Sequence, residues 1–148
     1  MNKNVIMNKK YILSIEDNRS DIIFMKRVFE HDIKGYTMEF IEDGESAIKF
    51  FESKDFQDNP PKCIFLDIKL PKMNGLEVLN YLRNKKNIKD IPVIMLSSSD
   101  RQKEIEESYL LGGNSYIQKP KDYLTLKQTF PAIVNYWLNF NKAPIKAA

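Results

Sequence analysis

A chain of 148 residues, 43% of them hydrophobic, is long enough to bury one sizeable core and too short for a comfortable pair of domains. Its net charge of +3 comes from lysines spread along the whole length, which supports solubility and argues against direct nucleic-acid binding. The single cysteine excludes an internal disulfide framework, and no apolar stretch approaches the roughly 18 residues of a membrane span, so a reducing, cytoplasmic setting off the membrane is expected.

Residues 1–8 hold Val5-Ile6-Met7 as their apolar segment, far short of a secretory core, and read as a flexible tail before a domain over 9–140. The first strand, Tyr11-Ile12-Leu13-Ser14-Ile15, stops at Glu16-Asp17. Ser20 and Asp21 are then placed to cap a helix with Ile22, Met25, Val28 and Phe29 inward, and His31 near its end reads as a cap or a solvated side chain. A second strand over Tyr36 to Ile41 ends at Glu42-Asp43-Gly44, and a helix through Ala47, Ile48 and Phe51 runs into the breaker Asp58-Asn59-Pro60-Pro61.

The third strand carries Cys63, read as a small core residue, and stops at Asp67. After Asn74-Gly75 comes a third helix with Leu76, Val78, Leu79 and Leu82 as its apolar positions. A fourth strand from Ile91 stops at Ser97-Ser98, and a fourth helix, Gln102 to Leu111, ends at Gly112-Gly113, where glycine accepts the left-handed conformation. Asn114 to Gln118 form a fifth strand closed by Lys119. The fifth helix starts near Asp122 and includes Leu126, Phe130, Ile133, Val134 and Trp137, with Pro131 expected to kink or divide it, before a flexible tail over 141–148. Short apolar runs alternating with helical periodicity predict an α/β domain, a five-stranded parallel sheet covered on both faces by five helices. The aromatic residues Tyr136, Trp137 and Phe140 read as packing first and as a partner surface second.

In such a sheet the strand ends share one edge, where open α/β folds bind ligands. Glu16, Asp17 and Asp67 would repel one another there unless a cation sits among them. The donors are all oxygen, with the single His31 and Cys63 elsewhere, so Mg²⁺ or Mn²⁺ suits the group and Zn²⁺ does not. Lys119 adds a point charge for phosphate oxygens and Ser97 a hydroxyl donor. No histidine lies near Ser97 or Ser98 to activate a serine, and the Asp67 carboxylate is the plausible nucleophile, because forming an aspartyl phosphate needs no activating base.

Glu16-Asp17, Asp67, Ser97 and Lys119-Pro120, in that order and at those separations, resemble the receiver domain of two-component response regulators. That resemblance implies a flavodoxin-like, doubly wound sheet of order 2-1-3-4-5 and a phosphoryl group accepted on Asp67 from a histidine kinase or phosphotransfer protein. It implies Mg²⁺ held by Glu16, Asp17, Asp67 and the backbone carbonyl of Lys69, Ser97 and Lys119 on the phosphoryl oxygens, and Tyr116 changing rotamer with Ser97. It also implies a cis Lys119-Pro120 bond. The segments Asp17-Asn18-Arg19-Ser20-Asp21 and Leu70 to Gly75, with the helix around Trp137, look like the stand-alone receivers paired with bacterial phytochrome kinases. Glu16 in place of the commoner aspartate and Ser97 in place of threonine are departures that keep the chemistry.

With almost nothing left for an output domain, the expected output is protein contact: a downstream target, or a homodimer through helix four, strand five and helix five. The expected chemistry is self-phosphorylation and self-dephosphorylation rather than an enzyme's turnover. Two other classes are a phosphorylation-independent adaptor, disfavoured by the complete acid, hydroxyl and lysine set, and a Mg²⁺-dependent phosphohydrolase. Asp67-Ile68-Lys69 lacks the second aspartate that such hydrolases use as an acid.

Overall fold

The structure is a computed structural model that describes residues 9–86 and 88–144, so the tail expected over 1–8 and residues 145–148 of the tail expected over 141–148 lie outside the described residues. Five strands, β1 (Tyr11–Ile15), β2 (Thr37–Ile41), β3 (Ile64–Leu66), β4 (Val93–Ser97) and β5 (Ser115–Gln118), alternate with helices. All neighbouring pairs are parallel, in the order β2-β1-β3-β4-β5. The α/β class and the order 2-1-3-4-5 therefore stand.

The side-chain period of two splits the core between the faces of the sheet. Tyr11, Leu13 and Ile15 of β1 join Ile64, Leu66 and Met95 on one face, beneath α2 (Gly44–Phe51) and α4 (Gly75–Arg83). Ile12 joins Phe65, Ile94 and Leu96 on the other, beneath α1 (Arg19–Asp32) and α6 (Tyr123–Asn135). The predicted inward residues of α1, Ile22, Met25, Val28 and Phe29, are its buried ones. Cys63 is fully buried, and burial pushes its thiol up to about 12, which fits an inert core residue. No helix of the described residues is long and apolar enough to cross a membrane.

Three local readings change. The residue that caps α1 is Asn18, whose Oδ1 accepts the Asp21 N–H at 3.0 Å; Ser20 and Asp21 lie inside the first turn. The second helix does not reach Asp58 but stops at Phe51, because Ser53 caps a further short helix, α3 (Lys54–Asp58), that buries Phe56. The expected helices three, four and five are thus α4, α5 (Gln102–Leu110) and α6. Helix α6 runs through Pro131 undivided and passes into a π-helical turn, Tyr136–Phe140, which buries Leu138 and carries Trp137. Proline removes one intrahelical donor, and the packing of Phe130 and Val134 on either side keeps the helix in place.

Two features position the strand ends. Arg83 donates to the carbonyls of Gly112, Lys89 and Ile91 and to Asn114 Oδ1 at 2.7–2.9 Å, tying the end of α4 to the entries of β4 and β5. Gly112 takes φ 103°, the left-handed stop expected after α5. The loop after β3 folds back on the start of α4, where the Gly75 N–H donates to the Ile68 carbonyl at 2.7 Å and Asn74 and Glu77 form a reciprocal capping box. A Cβ at Gly75 would overlap the Asp67 carbonyl. Gly75→Ala should therefore lower stability by about 3 kcal/mol in chemical denaturation, since rigid backbone leaves no room to repack; a loss under about 0.5 kcal/mol would contradict this close packing.

Candidate functional site

The carboxyl ends of β1, β3, β4 and β5 meet along one edge of the sheet, and the turn that begins α1 closes over it. Because β1 and β3 are paired in register, with Ile15 beside Leu66, the residues that follow them, Glu16 and Asp67, emerge side by side. Glu16 is 1% exposed and Asp67 7%, while Asp17 faces solvent. Carboxylate oxygens of Glu16, Asp17 and Asp67 lie within 4.8 Å of one another. Burial of two acids beside a third is tolerable only with positive charge nearby.

Lys119 supplies part of it. Its backbone N–H donates to the Ser97 carbonyl at 2.7 Å, which extends the β4–β5 pairing, and its long stem then turns inward. The ammonium donates to Glu16 Oε1 at 2.6 Å, Asp21 Oδ2 at 2.9 Å and Asp67 Oδ2 at 3.1 Å. This happens with a trans Lys119–Pro120 bond, since the described residues contain no cis peptide; the expected cis bond is corrected, and the four-carbon side chain provides the reach.

The charge states follow from this packing. Burial pushes the Glu16 carboxyl up to about 7, a rise that the Asp67 charge reinforces and that Lys119 and the Asn18 N–H, 3.0 Å from Glu16 Oε2, reduce without cancelling. Burial alone would lower Lys119, but the Asp67 charge and the bonds to Glu16 and Asp21 outweigh it and hold the ammonium well above its ordinary range. Lys119 stays charged at any physiological pH.

The remaining predicted residues are placed as follows. Ser97 is fully buried at the end of β4, with its Oγ accepting the Ser99 N–H at 3.2 Å. Tyr116 is half-buried on β5, and its hydroxyl donates to the Ser99 carbonyl at 2.7 Å, so the two residues meet on the same loop between β4 and α5. Lys69 is exposed, two residues beyond Asp67. His31 is exposed on the last turn of α1, bonded to Asp32, and has no part in the site. Sequence reasoning treated Asp21 as a helix cap and missed it as a partner of Lys119. The available signal was its spacing, four residues after Asp17 in a helix's first turn, which turns an acid back toward the strand end.

The acidic group fits a hard divalent cation. Three carboxylates, all-oxygen donors and one shared ammonium leave excess negative charge that Mg²⁺ or Mn²⁺ would neutralise.

Residues 12–130 match the model of the response regulator receiver domain. The chain is 32% identical, over 90% of its length and 86% of the relative's, to the probable methanogenesis regulatory protein FilR2 of Methanothrix harundinacea. It superposes on the phosphorylated cyanobacterial phytochrome response regulator RcpA with a TM-score of 0.84 and 31% identity, covering 93% of this chain and 99% of that one. The Mn²⁺-bound form of response regulator Rcp1 gives a TM-score of 0.82 and 29% identity over 92% of this chain and 99% of that one.

The raised Glu16 carboxyl would make cation binding at this group sensitive to pH. Below about 7 a cation would have to displace a proton from Glu16, whereas above it the carboxylate is already ionised. Apparent Mg²⁺ affinity, read from tyrosine and tryptophan fluorescence, should weaken about tenfold between pH 8 and pH 6; an affinity constant across that interval would contradict the burial of Glu16 as its cause.

Proposed function

This chain belongs to the response regulator receiver family, and on that basis we propose that it is a Mg²⁺-dependent phosphorylation switch with Asp67 as the phosphoryl acceptor. The observation that carries this is the setting of Asp67: a carboxylate at a strand end with the Lys119 ammonium 3.1 Å from Oδ2 and the Glu16 and Asp17 carboxylates beside it. Here three acids share one ammonium and a fourth, Asp17, stands beside two of them, an arrangement suited to receiving further positive charge and a phosphoryl group.

In the proposed reaction an Asp67 carboxylate oxygen attacks phosphorus and the bond from phosphorus to the donor breaks, its electron pair leaving on the donor's imidazole or, with acetyl phosphate, on acetate. A bound cation, held by Glu16, Asp17, Asp67 and the Lys69 carbonyl, would neutralise charge on the transferring oxygens. Lys119, 3.1 Å from Asp67 Oδ2, would pair with those oxygens, and the Ser97 hydroxyl would donate to them. Drawing Ser97 toward the phosphoryl group would loosen its bond with the Ser99 N–H. The carbonyl of that same Ser99 holds the Tyr116 hydroxyl, which supports a coupled Ser97–Tyr116 switch.

A switch of this kind signals by contact, through the face formed by α5, β5 and α6, where Leu110 and Leu124 are 87% and 63% exposed. We assign the phosphodonor as a sensor histidine kinase or phosphotransfer protein, the receiver of the signal as a downstream protein or a second copy, and the setting as the cytoplasm. The likeness to a phosphorylated phytochrome response regulator and to a Mn²⁺-bound one supports both the acceptor role and the choice of Mg²⁺ or Mn²⁺.

Asp67→Asn keeps the shape of the side chain and removes its nucleophilicity. It should abolish phosphate incorporation from acetyl phosphate or a kinase while the fold persists by circular dichroism; persistent labelling of this variant would sink the assignment.

A further inference from the structure

Asp21 lies outside the acidic trio yet shares its cation. Among the three carboxylates on Lys119, Glu16 and Asp67 belong to the group that would take the metal, and Asp67 would also carry the phosphoryl group. Both are deeply buried, with side chains 2% and 9% exposed, whereas the Asp21 carboxylate is 35% exposed on the first turn of α1. An ammonium has three donors, and here each has an acceptor. For Lys119 to serve a phosphoryl oxygen it must give one of them up.

From this geometry we infer that Asp21 is a positioning residue that acts through Lys119, holding the ammonium toward α1 and competing for it with the phosphoryl group on Asp67. The inference rests on the phosphoacceptor reading of Asp67. Metal and phosphoryl group together would satisfy Glu16 and Asp67, so those two acids lose their claim on Lys119 as the site fills. Asp21 is the partner whose claim persists. Its exposure keeps that claim modest, because water can take over the carboxylate when the ammonium leaves. The anchoring of Asp21 also sets where the ammonium waits. Its backbone N–H is bonded to the Asn18 cap, and the Asn18 N–H is bonded to Glu16, so Asp21 is fixed relative to the acid that ends β1.

The test is binding of beryllofluoride, a phosphoryl mimic, to the full chain at saturating Mg²⁺, followed by ¹⁹F NMR. Asp21→Ala should bind it about threefold more tightly than the wild type, the scale expected for releasing a partly exposed ion pair. Asp21→Glu, which restores the competing carboxylate, should return affinity toward the wild-type value. In a Lys119→Ala background, Asp21→Ala should change nothing. Unchanged or weaker binding by Asp21→Ala overturns the inference. The same gain with Lys119 absent also overturns it, since Asp21 would then act by its charge alone. Wild-type protein that binds no beryllofluoride at all would instead remove the phosphoacceptor reading beneath it. Thermal denaturation of each variant separates these outcomes from loss of fold, because a purely structural role of Asp21 would shift the melting temperature and leave the ratio of affinities unmoved.

Discussion

One ammonium shared by three carboxylates is the interaction on which this site depends. Glu16 and Asp67 are buried acids at the ends of neighbouring strands, and Lys119 bonds to both while also reaching Asp21. Without Lys119 the edge of the sheet would hold a concentration of negative charge that burial makes expensive. Lys119 offsets part of that charge, and it reduces without cancelling the rise that burial imposes on the Glu16 carboxyl. Three oxygen-donor acids held at such an edge form a group suited to a divalent cation.

The fold makes this arrangement possible through parallel pairing. Each crossover returns the chain to the same end of the sheet, so residues as far apart as Glu16, Asp67, Ser97 and Lys119 leave their strands at one edge. The alternation of apolar runs with helical periodicity made that topology legible, and each apolar run ended visibly at a polar residue. Glu16, Asp17, Asp67, Ser97 and Lys119 could be named for this reason, whereas Tyr116 was implied by the family resemblance alone. Less legible were features that depend on which side chains meet across elements. Asp21 looks like any acid in a helix's first turn until the position of Lys119 is known. Arg83 looks like an ordinary basic residue at a helix end, and its bonds to three carbonyls arise from loops that the local pattern does not place. Helix α3 is a five-residue element, too short for periodicity to reveal. Lys119 takes its position from strand pairing through its backbone N–H and from the length of its side chain.

The same contacts link the acidic edge to the surface. Ser99 accepts the Tyr116 hydroxyl through its carbonyl and donates its N–H to Ser97, so one residue of the β4–α5 loop touches both a buried hydroxyl of the site and an aromatic ring of β5. The Tyr109 hydroxyl of α5 in turn accepts the Tyr116 N–H at 3.2 Å. A change in the partner of Ser97 therefore has a short, hydrogen-bonded route to α5 and β5. Nearby, Leu110 stands almost fully exposed, an apolar side chain that a contact-based signal could use.

The most direct measurement of the central claim is chemical mapping of the modified residue. The protein is treated with acetyl phosphate, with and without Mg²⁺, and reduced with borohydride, which converts an aspartyl phosphate to homoserine that peptide mass spectrometry locates. The account predicts homoserine at position 67, dependent on Mg²⁺. Homoserine at another aspartate, or none under conditions where the cation binds, would contradict it.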